Sequence, residues 1–175
     1  METVAEQPPP PAEEQKLPEE KTLKGIANQG ATCYMNSLLQ SLFMTPELRK
    51  ALFQWQYDEK LHGEKKDCIL YQLQKLFASL QVGKRPFGET SELTKSFQWD
   101  YAESLQQHDV QEFCRVLFEA IEVSCEDTEQ AGIITELYEG IMVDYVKCKH
   151  CGFSSDKEVR FYDLNLTIRN EFDKL

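Results

Sequence analysis

Several things are scarce in this chain, and each scarcity removes a class of function. Basic residues are outnumbered: 19 Lys and Arg stand against 30 Asp and Glu, a formal net charge of −11. That balance argues against nucleic acid or an anionic membrane surface as the main partner and suits a basic one. No apolar run is long enough to span a bilayer, and the acidic N-terminus carries no signal-like apolar stretch. The six cysteines (33, 68, 114, 125, 148 and 151) are scattered, and only the last two have motif spacing. The expectation is therefore reduced thiols in an intracellular protein of cytoplasm or nucleus, without a disulfide framework. Histidine is scarcest of the chemically useful residues, with only His62, His108 and His150. A mechanism needing a histidine base has little to choose from.

Apolar residues are almost missing from 1–22, which holds Pro8, Pro9, Pro10 and Pro11 among glutamates. Such a segment has too little to bury and is expected to be disordered. About one domain's worth of chain remains at 23–175, with no internal repeat. Apolar positions Tyr34, Leu38, Leu39, Leu42 and Phe43 recur at helical spacing. Thr45, Pro46 and Glu47 read as an N-cap, a first-turn proline and an early acid opening a second helix. Ile69, Leu70, Leu73, Leu76, Phe77 and Leu80 form the cleanest amphipathic stripe. Residues 84–88 read as a loop, followed by a short helix from Thr90 or Ser91 that carries Leu93 and Phe97. Asp109 is placed to cap a longer helix burying Val110, Phe113, Cys114, Leu117, Phe118 and Ile121.

The period changes after Gly132. Residues 133–138 allow a helical turn or two. Ile141, Val143 and Tyr145 then alternate with Met142, Asp144 and Val146 as in a strand. Val159, Phe161, Leu164, Leu166 and Ile168 alternate too, with a phase change near Asp163, and the Cys148/Cys151 pair falls between at a hairpin tip. Helices first and strands later predict an α+β fold.

The most informative segment is Gly25-Ile26-Ala27-Asn28-Gln29-Gly30-Ala31-Thr32-Cys33-Tyr34-Met35-Asn36. It sets a thiol where a loop becomes a helix. Unpaired N–H groups and the dipole at a helix start favour thiolate, the nucleophilic form. Asn28 is close enough in sequence to donate to an oxyanion forming beside Cys33. Gly25 and Gly30 give the loop backbone freedom to approach a bound chain. Spacing alone favours a buried, inert cysteine ahead of a core helix.

Residues 25–40 closely resemble the cysteine box of the ubiquitin-specific proteases, the papain-like cysteine deubiquitinases. Gln106-Gln107-His108-Asp109-Val110-Gln111-Glu112-Phe113 resembles a second box of that family. Cys148-Lys149-His150-Cys151-Gly152 resembles the first half of its zinc knuckle. With three motifs in the family's order the resemblance spans Leu23 to about Ile168, nearest the branch of members seven and forty-seven, which also carry Ala at the position of Ala31. The resemblance implies a papain-like α+β domain, with a helical thumb over 23–132 and the start of fingers and palm over 133–175. It implies Cys33 as nucleophile, Asn28 as oxyanion donor, and Gln107, Asp109 and Glu112 along the channel for ubiquitin's arginine-rich tail. Helix capping alone also accounts for Asp109 and Glu112. His108 does not match the family's base.

The implied partners are ubiquitin and ubiquitinated proteins. No cofactor is required for hydrolysis. Cys148 and Cys151 are half of a structural zinc site, which needs four ligands. His150 is poorly placed as a third and Cys125 is a remote one, so two free thiols is the simpler reading for this chain. None of the three histidines matches the family's histidine box, and Leu175 is expected to be a truncation point. The expectation is a thiol-dependent ubiquitinyl hydrolase whose isolated 175-residue chain is marginally folded and inactive. The alternatives are a non-catalytic ubiquitin-binding or regulatory fragment, and a scaffold in which Cys33 is merely buried.

Overall fold

A computed structural model describes residues 23–98, 109–164 and 166. The reading of 1–22 as a disordered tail, together with Gln107, His108 and Ile168, lies outside the described residues.

The helical stripes become helices where the sequence places them. Helix α1 (Cys33–Phe43) buries Tyr34, Met35, Leu39, Leu42 and Phe43. Helix α2 (Pro46–Gln54) opens with proline in its first turn. Thr45 occupies its N-cap but makes no capping bond; its hydroxyl instead accepts from Tyr138 Oη at 3.1 Å. One turn, α3 (Glu59–His62), is capped by Asp58, whose side chain accepts from Lys60 N. Helix α4 (Ile69–Val82) sinks Leu70, Leu73, Leu76, Phe77 and Leu80 into the same core. Trp55 closes that core, 1% exposed, with its indole N–H donating to Ser124 O at 2.9 Å.

The segment expected as a plain loop at 84–88 contains a strand. Strand β1 (Gly25–Ile26) pairs in parallel with β2 (Phe87–Gly88), and Ala27 N donates to Gly88 O at 2.9 Å. Two-residue strands joined by 60 residues of chain leave no local pattern, because the partner rather than the propensity makes them. Gly88 suits the approach to α4: a Cβ there would lie 2.9 Å from Leu80 Cδ2 and 3.0 Å from Leu76 Cδ1. By contrast a Cβ on Gly25 would meet nothing within 4 Å.

Helix α5 (Ser91–Ser96) follows, with Leu93 buried. Helix α6 (Val110–Cys125) is capped as expected, Asp109 Oδ1 accepting from Gln111 N at 2.7 Å. Its buried face is Phe113, Leu117, Phe118, Ile121 and Cys125. Val110, expected on that face, is exposed, because it sits in the first turn before the helix reaches the core. Helix α7 (Ile133–Tyr138) stacks Tyr138 on Phe118, ring centroids 4.9 Å apart.

Strands β3 (Gly140–Lys147) and β4 (Ser154–Phe161) form an antiparallel hairpin with Gly140 opposite Phe161 and Lys147 opposite Ser154. Alternation usually signals one buried face. Here both faces are open among the described residues: Tyr145 is 69% and Val146 75% exposed, on opposite sides of the strand. Arg160 to Glu139 (3.2 Å) and Arg115 to Asp163 (3.1 Å) tie the hairpin base to the helices. The architecture is α+β: one helical core, a clip of two short strands, and a projecting hairpin.

Candidate active site

Cys33 is the first residue of α1 and is exposed, which removes the reading of a buried structural thiol. Thr32 at the N-cap makes no side-chain capping bond, and no acidic residue stands in the first turn. The positive end of the helix dipole is thus left facing the thiol. Behind it the helix is anchored: Tyr34, Met35 and Leu39 are in the core, and Gln40 Nε2 donates to Lys24 O at 2.9 Å.

The loop before Cys33 is held at several points. Gly30 has φ of +106°, a conformation that favours glycine, and it turns the chain into the helix. Asn36 Nδ2 donates to Ala27 O at 3.3 Å. The Gln29 carboxamide is oriented with Oε1 toward α5, where it accepts from Ser91 N at 2.7 Å and Thr90 N at 3.2 Å. Thr32, only 3% exposed, accepts from Gln29 N at 3.0 Å and donates its hydroxyl proton to Asn28 Oδ1 at 2.9 Å. Asn28 is itself exposed, and its Nδ2 donates to none of the described residues.

The second cluster stands on the first turn of α6. Asp109 and Glu112 are exposed and line a shallow groove with Gln111, Arg115, Val116 and Glu119. One Asp109 oxygen is committed to the cap. A ring pair links this turn to the nucleophile: Tyr34, next to Cys33, meets Phe113, next to Glu112, edge-on at 5.9 Å. Burial, and secondarily the negative charge of a Cys33 thiolate, push the Tyr34 phenol up. The two sequence boxes therefore meet through packed neighbours.

The described histidines serve elsewhere. His62 packs its ring on Trp55 at 4.7 Å, and its Nδ1 lies 3.0 Å from Asp58 N. His150 is exposed at the hairpin tip. Neither hydrogen-bonds to Cys33.

At that tip Cys148 N donates to Phe153 O at 2.8 Å and Gly152, at φ +75°, closes the turn. Cys148 and Cys151 are exposed free thiols. The backbone N–H of Cys151, then that of His150 and then the Cys151 side chain, hold the Cys148 thiol below its usual range. Among the described residues no three metal-ligating side chains come together. Cys125 is buried at the end of α6, with its pKa pushed up to about 11 by burial.

Thr32 and Gln29 are the positions that sequence reasoning missed. A threonine four residues after an asparagine in a loop was the available signal, since both side chains favour local hydrogen bonds there.

Residues 24–174 match the family described as ubiquitin carboxyl-terminal hydrolase. Ubiquitin carboxyl-terminal hydrolase 47 of Homo sapiens is 50% identical over 145 residues, covering 83% of this chain and 10% of that protein. Ubiquitin carboxyl-terminal hydrolase 40 of Homo sapiens is 41% identical over 177 residues, covering 97% of this chain and 14% of that protein. Ubiquitin carboxyl-terminal hydrolase 7 of Drosophila melanogaster is 43% identical over 147 residues, with coverage of 84% and 13%. The chain thus spans between a tenth and a seventh of the length of these relatives.

Proposed function

The chain belongs to the ubiquitin carboxyl-terminal hydrolase family, and from that premise we propose that it carries the nucleophile and tail-binding half of a thiol-dependent deubiquitinase. The observation that carries this reading is the exposed Cys33 at the head of α1, with an Asn28 amide whose oxygen is tethered to the adjacent Thr32 and whose nitrogen is open.

In the proposed reaction the Cys33 thiolate attacks the carbonyl carbon of ubiquitin's last glycine. A C–S bond forms and the carbonyl oxygen becomes an oxyanion, which Asn28 Nδ2–H stabilises together with the backbone N–H of Cys33. The C–N bond to the target's amine then breaks as that nitrogen takes a proton. Water hydrolyses the thioester and frees the thiol. Asp109 and Glu112 offer carboxylates to the arginines and amides of the ubiquitin tail; Gln107 belongs to this set by resemblance.

One group must take the thiol proton, return it to the leaving amine as an acid, and then activate the water as a base. His62 packs on Trp55 and His150 sits at the hairpin tip, and His108 does not match the family's base, so none of the three histidines of this chain is assigned that role. The isolated chain should then hydrolyse nothing. Purified chain is to be incubated with a fluorogenic ubiquitin substrate; turnover abolished by Cys33→Ala would contradict this.

The same placement of the histidines favours a second reading, a non-catalytic ubiquitin-binding or regulatory fragment. Ubiquitin binding without hydrolysis, lost in Asp109→Ala, supports it. A structural zinc is not completed by the described residues. Cys148 and Cys151 would need two further donors, and in this chain they act as two thiols. Ubiquitin and ubiquitinated proteins are the proposed partners, in cytoplasm or nucleus.

A further inference from the structure

Asn28 is useful as an oxyanion donor only if its carboxamide presents nitrogen, and an asparagine on an exposed loop has two nearly equivalent orientations about Cγ. The loop distinguishes them. The Gln29 N–H points at Thr32 Oγ1 (3.0 Å) and occupies a hydroxyl lone pair. The hydroxyl proton is directed to Asn28 Oδ1 (2.9 Å). With Oδ1 accepting there, Nδ2–H2 is turned outward, away from Thr32, and makes no bond to the described residues. Thr32 is held for this task, being 3% exposed, adjacent to Cys33 and the N-cap of its helix, yet spending nothing on capping. Gln29 is in turn fixed by its side chain to the start of α5.

We infer that Thr32 is a positioning residue that sets the polarity of the Asn28 carboxamide, through a relay from Gln29 N–H to Thr32 Oγ–H to Asn28 Oδ1. The inference rests on the reading of Asn28 as oxyanion donor. Its physical content is orientation, so orientation is what the test reads.

The 175-residue chain is labelled with 15N, and the Asn28 side-chain amide is assigned by its loss in Asn28→Ala. In the wild-type chain the Nδ2–H2 group should be nearly as ordered as the backbone of α1, with an order parameter of about 0.8. Thr32→Val keeps the shape and removes the donor; it should lower that value below about 0.6 while α1 keeps its order. Thr32→Ser should restore it. A wild-type amide already below about 0.6 overturns the inference without any variant having to fold. An amide equally ordered in Thr32→Val overturns it too.

A second arm separates this inference from the reading beneath it. Ubiquitin bearing a C-terminal aldehyde forms a tetrahedral hemithioacetal with a thiolate, in alkaline buffer where thiols ionise without a base. Asn28→Ala should weaken this adduct about a hundredfold. Thr32→Val should weaken it about tenfold, the worth of one neutral hydrogen bond, and Thr32→Ser should not. The double variant should be no weaker than Asn28→Ala alone, since Thr32 acts only through Asn28. Weakening in Asn28→Ala but none in Thr32→Val overturns the positioning role and leaves the oxyanion role standing. No weakening in Asn28→Ala removes the oxyanion role itself, and the order parameters still decide whether Thr32 holds the amide.

Discussion

At the scale of single residues, the six cysteines of one chain live in different chemical worlds. Cys33, Cys148 and Cys151 are exposed, whereas Cys68 and Cys125 are buried. Burial pushes the Cys68 and Cys125 thiols up, Cys125 to about 11. Alkylation of the native chain near pH 8 should therefore modify the three exposed thiols and spare these two until the chain unfolds, as peptide mass mapping will show. A linked effect follows for stability. In the folded chain Cys125 keeps its proton up to about pH 11, whereas an unfolded thiol loses it near pH 8.5. The folded state binds more protons in that window, so stability is full below about pH 8.5 and falls as pH rises through it. Denaturant titrations should show a loss on the order of 3 kcal/mol between pH 8 and 11 from this group, and Cys125→Ala should flatten the slope. A slope unchanged by that substitution would remove Cys125 as its source.

At the scale of elements, contacts that lie far apart in sequence hold the nucleophile loop. Trp55 joins α2 to the end of α6 through Ser124 O. Trp55→Ala should cost about 3–5 kcal/mol, read as a lowered thermal midpoint. The β1–β2 clip is tied to α4 by Lys24, whose Nζ donates to Ser79 O at 3.3 Å and also to Gly83 O. A Cβ on Gly83 would stand 2.4 Å from Ser79 O, a backbone atom that cannot swing aside. Gly83→Ala should thus cost about 1–3 kcal/mol and loosen β1, seen as faster amide exchange at Ala27. Retained protection of Ala27 would show that the clip does not depend on this turn. Helices with strong stripes, such as Ile69–Val82, were legible because the 3.6-residue period reports burial directly. The β1–β2 pair was not, because two residues carry no period. Cys33 and Asp109 were legible as helix starts; the Thr32 relay was not, because its meaning lies in which atom donates.

At the scale of the whole molecule, the helical core is well closed and the hairpin is not. Ile141, Val143 and Tyr145 on one face and Met142 and Val146 on the other are exposed. The alternation in the sequence correctly marked strands but implied a covered face that the described residues do not supply. Exposed strands with apolar side chains favour edge-to-edge pairing. The isolated chain should self-associate with rising concentration, and Val143→Lys with Tyr145→Lys should return it to monomer in sedimentation velocity. A wild-type chain that stays monomeric at high concentration would show that the hairpin is tolerated in water. The acidic surface of the molecule and the exposed carboxylates of Asp109 and Glu112 suit the basic tail of the proposed partner.

If the proposed function holds, Cys33 stands where ubiquitin's C-terminus arrives. The most direct measurement is reaction of the 175-residue chain with ubiquitin carrying a C-terminal alkylating group, followed by mass mapping of all six cysteines against a free alkylator. A bound electrophile needs only the thiolate, so the result does not depend on which group acts as base. Modification is expected at Cys33 far above its share with the free reagent, reduced in Asp109→Ala, while Cys148 and Cys151 show no such enrichment. Modification spread over the exposed thiols in the proportions of the free reagent would contradict it.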